Sequence, residues 1–219
     1  FLKAHNMIGF NQQDMMTWQA AANNLAAGAG NTNDVMLYMN GIPFHNVGNL
    51  YGGTVMAMAN GIGNGWSNFL DNTTAFVSYA FTKTQPNGQG MLGSGDSKFG
   101  SSWWVGVQMP AVFTADGKIG LEYNQGSKWW RSFTYGEDTM VGSKLAARGK
   151  AYEAYYTQPL LGKTLTGQLR YTKINYDYTG SNGFFGAEGT PYTMDDAISA
   201  GMNPVKSASD ARAYIRYRY

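Results

Sequence analysis

The stretch that most constrains the fold is the last one. In residues 208–219, Ala211, Ala213, Ile215, Tyr217 and Tyr219 recur at every second position, with Arg212, Tyr214, Arg216 and Arg218 between them. Successive side chains of a strand point to opposite faces, so this stretch predicts one apolar face and one polar, charged face. A C-terminal aromatic preceded by alternating apolar positions is the usual pattern of an outer-membrane insertion signal. The first expectation is therefore a membrane-spanning β-barrel strand.

The same period of two returns upstream. Ala75, Val77, Tyr79 and Phe81 oppose Ser78, Ala80 and Thr82; Trp103, Val105, Val107 and Met109 oppose Gly106 and Gln108. Ile119, Leu121 and Tyr123 oppose Lys118, Glu122 and Asn124, and Leu165, Leu169 and Tyr171 oppose Thr166, Gln168 and Arg170. Strands are predicted near 35–40, 49–60, 72–84, 99–109, 117–130, 150–158, 163–178 and 208–219. After Tyr171 the apolar parity moves to Ile174, Tyr176 and Tyr178, which predicts a bulge or a strand that continues above the membrane. Tyr155 and Tyr156 fit neither face cleanly. Alternation alone also suits a soluble β-sandwich.

Composition narrows the choice. Charged residues are 14% and aromatics 15%, with 29 glycines, which suits twisted strands joined by turns. The net charge is +2, against a general nucleic-acid binder. No apolar run is long enough for a transmembrane helix. The mean hydropathy of −0.34 is no obstacle to a barrel, in which lipid-facing and lumen-facing residues average out. With no Cys, disulfides, thiolate zinc sites and covalent c-type haem attachment are excluded. The chain begins Phe1-Leu2-Lys3 without a signal segment, as expected of a mature or truncated product.

Loop lengths discriminate better than alternation. Counted back from the C-terminus, a long connection at 179–207 is followed by a tight turn at Pro159–Gly162. A long one at 131–149, a short one around Asp116-Gly117 and a long one at 85–98 come next. Outer-membrane barrels alternate long external loops with short periplasmic turns in this way, although 61–71 is longer than the rule asks. In that orientation Trp103, Trp129 and Trp130 fall towards the outer interface and Tyr217 and Tyr219 at the inner one, as aromatic girdles require. Residues 1–34 read differently, as an irregular or short helical segment (12–27) that forms a loop or plug. Residues 35–219 carry the strands. Seven or eight strands just close a small barrel, so a wider pore needs strands from elsewhere, either a missing N-terminal part or other copies.

Several segments resemble the DUF3373 family of predicted outer-membrane, porin-like proteins. They are Trp103-Trp104-Val105-Gly106-Val107-Gln108-Met109-Pro110, Trp130-Arg131-Ser132-Phe133-Thr134-Tyr135-Gly136-Glu137-Asp138, Tyr152-Glu153-Ala154-Tyr155-Tyr156-Thr157-Gln158-Pro159 and Arg216-Tyr217-Arg218-Tyr219. The likeness extends to Asn6-Met7-Ile8-Gly9 and Gln12-Gln13-Asp14-Met15-Met16-Thr17-Trp18. It implies an all-β, antiparallel transmembrane barrel of which this chain is the C-terminal portion. It brings no catalytic motif and no cofactor.

Arg170, Arg212, Arg216 and Arg218 share a face with Glu122 and Lys118. They are read as a charged lumen lining that biases a pore towards anions. The plainer reading is that the arginines pair with carboxylates such as Glu122 and Glu153 and fill a polar interior. His5 and His45 are the only histidines, so a multi-histidine metal site is out, and neither stands in a nucleophile signature with Asp14 or Asp34. Trp103-Trp104 and Trp129-Trp130 suit interface anchoring better than sugar stacking. In the loop 179–207, Asn182-Gly183-Phe184-Phe185-Gly186 and Asp195-Asp196 lack calcium-loop spacing. The methionines Met7, Met15, Met16, Met36 and Met39 suit ordinary packing better than a plug.

Three functions are weighed. The leading one is a passive, porin-like channel for small polar or anionic solutes, in contact with outer-membrane lipid. The second is a non-enzymatic scaffold barrel that sheaths a partner such as an electron carrier. The third is a soluble β-sandwich that binds glycans. No enzyme is expected.

Overall fold

The computed structural model describes residues 2–9, 20, 28, 45–132, 141–162, 164–181 and 189–218. They form an antiparallel sheet in which every strand pairs with its neighbour in sequence. The strands are β1 (Leu2–Gly9), β2 (His45–Asn60), β3 (Thr74–Pro86), β4 (Phe99–Pro110), β5 (Lys118–Gly126), β6 (Gly149–Leu161), β7 (Leu165–Tyr176) and β8 (Ser207–Tyr217). Two short helices, α1 (Asn68–Asp71) and α2 (Met194–Ser199), sit in connections and are capped by Ser67 and Thr193.

Each strand from β2 to β8 overlaps a stretch expected to be a strand, and β3, β4, β5, β7 and β8 overlap the stretches of period-two alternation. The departures lie at the ends and the N-terminus. Leu2–Gly9 is a strand paired with β2, where an irregular or helical segment is expected, because its backbone finds partners from Gly52 to His45. β5 stops at Gly126 and not at 130, since Ser127–Trp130 is a turn with Trp130 N–H donated to the Ser127 carbonyl. The expected helix at 12–27 and strand at 35–40 lie outside the described residues. So does Tyr219.

The sheet is open. Among the described residues β1 pairs only with β2 and β8 only with β7, so the closed barrel expected from the sequence is not formed by these strands. Closure needs backbone partners on both outer edges, and neither edge has them here.

The strand-to-strand connections sort by end. At one end lie 87–98, 127–148 and 177–206; at the other lie 61–73, 111–117 and 162–164. Buried side chains concentrate at the long-loop end, where the loops fold over one face. Val47 and Leu50 pack with Met91 there, and Ala147, Ala151, Ile174 and Tyr176 form a second cluster that Val141 and Met194 join. Tyr176 donates its hydroxyl to the Val141 carbonyl at 3.0 Å.

This placement explains the shift of apolar parity beyond Tyr171. β7 keeps an unbroken register against β8 from Leu165 to Asn175, so no bulge is present. Ile174 and Tyr176 are apolar because the loops bury them on the inner face. Lys173 and Asn175, on the other face, lie beyond its apolar band.

Candidate functional site

The register divides the sheet into two chemically different faces. On one, Val55 faces Tyr79, Val77 faces Val105, Val107 faces Leu121, Leu169 faces Ala213 and Gly167 faces Ile215. Val55, Val77, Trp103, Val105, Leu121, Leu169, Tyr171, Ile215 and Tyr217 are all exposed on it. Contiguous apolar surface of this kind is rare on soluble monomers.

Aromatic pairs border this band. Towards the long loops, Phe81 stacks on Phe99 at 5.9 Å, Tyr79 meets Trp103 at 4.6 Å and Tyr123 meets Tyr152 at 5.3 Å. Beyond them the same face turns polar, with Lys83, Gln125, Lys150 and Lys173. Towards the short turns, Phe113 tilts against Tyr156 at 5.4 Å. Phe81 lies six positions beyond Ala75 along β3, ~20 Å of strand.

The opposite face is largely polar, with exposed Met56 and Met58 beside Phe76 at the short-turn end of β2 and β3. Going across the sheet it carries Thr54, Ser78, Trp104, Glu122, Glu153, Thr172 and Asp210 at one level, and Gln108, Tyr155, Gln168, Arg170, Arg212 and Tyr214 nearer the short turns. Two rings press against glycines here. A Cβ on Gly106 would stand 2.5 Å from Phe76, and one on Gly120 would stand 2.0 Å from Tyr155, so only glycine admits them.

Glu122 and Glu153 are register partners on β5 and β6, and like charges directly opposite repel. Lys144, from the 3₁₀ turn Lys144–Ala146, answers both: its Nζ donates to Glu122 Oε2 at 2.7 Å and to Glu153 Oε1. Trp104 Nε1 donates to the same Glu122 oxygen at 2.9 Å, and Thr172 donates to Glu153 Oε2 at 2.8 Å. Arg170 reaches Glu153 at 3.2 Å and stands over the Tyr155 ring. The Lys144 side chain is 7% exposed and that of Glu153 1%, so this network is shielded from water. Lys144 carries no period and no motif in the sequence, so nothing there marks it as part of this network.

Arg170, Arg212, Arg216, Lys118 and Glu122 are thus on one face. Arg170 pairs with Glu153 and Arg212 with Asp210, whereas Glu122 is taken by Lys144 and not by an arginine. Lys118 and Arg216 are near the short turns, facing Thr157 and Thr166. Arg218 follows β8 and donates its backbone N–H to the Thr164 carbonyl at 2.8 Å.

Of the expected interface aromatics, Trp103 and Tyr217 are on the apolar face. Trp129 and Trp130 are not. They belong to the loop 127–148, folded onto the polar face: Gly100 passes directly beneath the Trp129 carbonyl, and Trp130 is buried with its Nε1 donated to the Leu145 carbonyl at 2.7 Å. Of the acidic pair weighed for calcium, Asp195 and Asp196 occupy the first turn of α2, where the helix dipole favours carboxylates. No cluster of metal-ligating side chains is present among the described residues. His45 opens β2 and pairs through its backbone with Gly9.

The three long loops are tied to one another. Arg131 donates to the carbonyls of Trp129 and Leu92, and Arg148 to those of Trp130 and Thr179. Ser181 Oγ accepts the Arg148 N–H, and Thr190 donates to the Gly93 carbonyl at 2.7 Å. The result is a cap over the polar face at one end.

No helix among the described residues is long and apolar enough to cross a membrane, which leaves strand-borne crossing open. No curated protein and no solved structure matches the chain. The model of one family, described as a protein of unknown function (DUF3373), matches residues 1–219, and the chain therefore belongs to the DUF3373 family.

Proposed function

We propose that the chain builds part of the wall of an outer-membrane β-barrel that passes small polar or anionic solutes. The observation that carries this reading is the opposition of the two faces. An exposed apolar band bordered by aromatic pairs backs onto a face of Thr, Ser, Gln, Glu and Arg. A strand wall between lipid and water has this distribution. A soluble sandwich would lay a second sheet on the apolar face, and among the described residues no element does so.

In lipid, every backbone N–H and C=O needs a partner. The open edges at β1 and β8 would therefore pair with further strands, from a longer chain or from a second copy. On the polar face each acidic side chain is engaged by a cation, Glu122 and Glu153 by Lys144 and Asp210 by Arg212. Lys118 and Arg216 add positive charge near the short turns, which supports a bias towards anions.

One observation favours a second reading. Residues 127–132 and 141–148 lie against the polar face at the long-loop end, and a wall covered in this way also suits a scaffold that sheaths a partner such as an electron carrier. Planar-bilayer conductance separates the two. The channel reading expects anion-preferring current from purified protein, and Arg216→Gln with Arg212→Gln should shift the reversal potential towards cations. Unchanged selectivity would remove the lining role of these arginines. No current from pure protein, with an electron carrier co-purifying, would favour the scaffold.

A further inference from the structure

Arg131 and Arg148 are among the most buried side chains of the protein, 1% and 0% exposed. A buried guanidinium is ordinarily matched by a carboxylate, because leaving its charge uncompensated is costly. Among the described residues neither has one. Every side-chain partner is a neutral backbone carbonyl: Trp129 and Leu92 for Arg131, Trp130 and Thr179 for Arg148. Among the described residues each guanidinium also keeps one buried nitrogen without a hydrogen-bond partner, Nε of Arg131 and Nη2 of Arg148.

The charge of Arg131 also bears on Arg148. Burial pushes Arg148 down to about 9, and the neighbouring Arg131 pushes in the same direction; burial alone brings Arg131 to about 10. Two like charges, both dry and each with an N–H unused, call for negative charge between loops that are otherwise bonded to each other. The Trp129 ring, 5.1 Å from the Arg131 guanidinium carbon, contributes only a quadrupole.

We propose that Arg131 and Arg148 form a binding site for a small oxyanion, phosphate-like or carboxylate, taken by Arg131 Nε–H and Arg148 Nη2–H. Planar guanidinium groups are well suited to oxyanions, and two of them on one loop would let a bound anion tie the loop down. The site lies beneath the cap, on the side of the sheet to which the polar face belongs. It is distinct from Lys118 and Arg216 at the far end. Binding is readable without a membrane, so this inference stands or falls apart from the channel reading.

The test uses the full chain in a phosphate-free detergent at fixed ionic strength. Phosphate, sulfate and acetate are titrated against chloride, and amide exchange over 141–148 and thermal unfolding are followed. Saturable slowing of exchange is expected, about tenfold when the anion is ten times its Kd. A response to phosphate and sulfate without acetate would identify a tetrahedral ligand, and the converse a carboxylate. Arg148→Met and Arg131→Met should each abolish the response, while Arg216→Gln should keep it. If Arg148→Met does not fold, the wild-type titration and Arg131→Met decide. No anion-specific slowing, or the same slowing in both arginine variants, would overturn the proposal and leave the two arginines as loop ties only.

Discussion

Tyr155 lies against Gly120, its partner across β5 and β6, so closely that a Cβ there would stand 2.0 Å from the ring. Gln108, the partner of Gly120 on β4, donates its side-chain amide to the Tyr155 hydroxyl at 3.1 Å, and Arg170 stands over the ring. Gly120→Ala must lift the ring off the sheet and break this arrangement. The expected cost is about 1–3 kcal/mol, the usual range for overpacking. Denaturant titration would measure it, and Tyr155→Ala in the Gly120→Ala background should recover part of the loss. An additive pair of losses would show that the ring and the glycine do not depend on one another.

Lys144 is the only described cation that touches both Glu122 and Glu153. Lys144→Met leaves two facing carboxylates in a shielded site with Arg170 alone beside one of them. A loss of about 3–5 kcal/mol is expected, as for any buried pair broken from one side. Adding Glu122→Gln to Lys144→Met should restore a large part, because the repulsion goes with the charge. Urea unfolding of the single and double variants checks both statements.

The faces of the sheet should respond oppositely to charge. Leu121, exposed on the apolar face, and Ser78, on the polar face, are in neighbouring parts of the same sheet. For a wall in lipid, Leu121→Arg is expected to cost about 2–4 kcal/mol near the bilayer midplane. Ser78→Arg should be tolerated. Folding into lipid vesicles, followed by gel mobility with and without heating, gives the comparison, and equal tolerance at both positions would sink the lipid-facing assignment.

The proposed anion site predicts a pH dependence with a definite sign. Arg148 is pushed down to about 9 in the folded protein, below its value in the unfolded chain. Its protonated form therefore weighs against folding below about 9, and the weight lifts as pH rises above that value. An anion needs the protonated form. Stabilisation by phosphate should be full at pH 8 and decline as pH passes through about 9 to 10. Thermal unfolding with and without phosphate, compared with Arg148→Met, checks this.

Much of this architecture was legible because strand periodicity is local. Ala211, Ala213 and Ile215 announce a face whatever they pack against, and the same holds for Val105 and Leu121. Short turns also declare themselves, as Gly162 does with its positive φ. Tyr155 and Tyr156 resisted sorting because both are amphipathic. Only the register shows that one lies on Gly120 within the polar face and the other beside Phe113.

The site residues divide in the same way. Arg170, Arg212, Glu122 and Lys118 sit on strands, so their shared face could be read from parity. Lys144, Arg131, Arg148 and Trp130 sit in a loop, where no period reports direction. The fold of that loop depends on bonds to Leu92, Thr179 and the facing carboxylates, far away in sequence. Which strand faces are apolar and which are polar is written in the chain itself, because alternation is a property of each strand alone. Which charges are matched, which described arginines are buried without a carboxylate and that the described strands leave the sheet open at β1 and β8 emerge only from the fold, because those depend on loops and edges that meet across the chain.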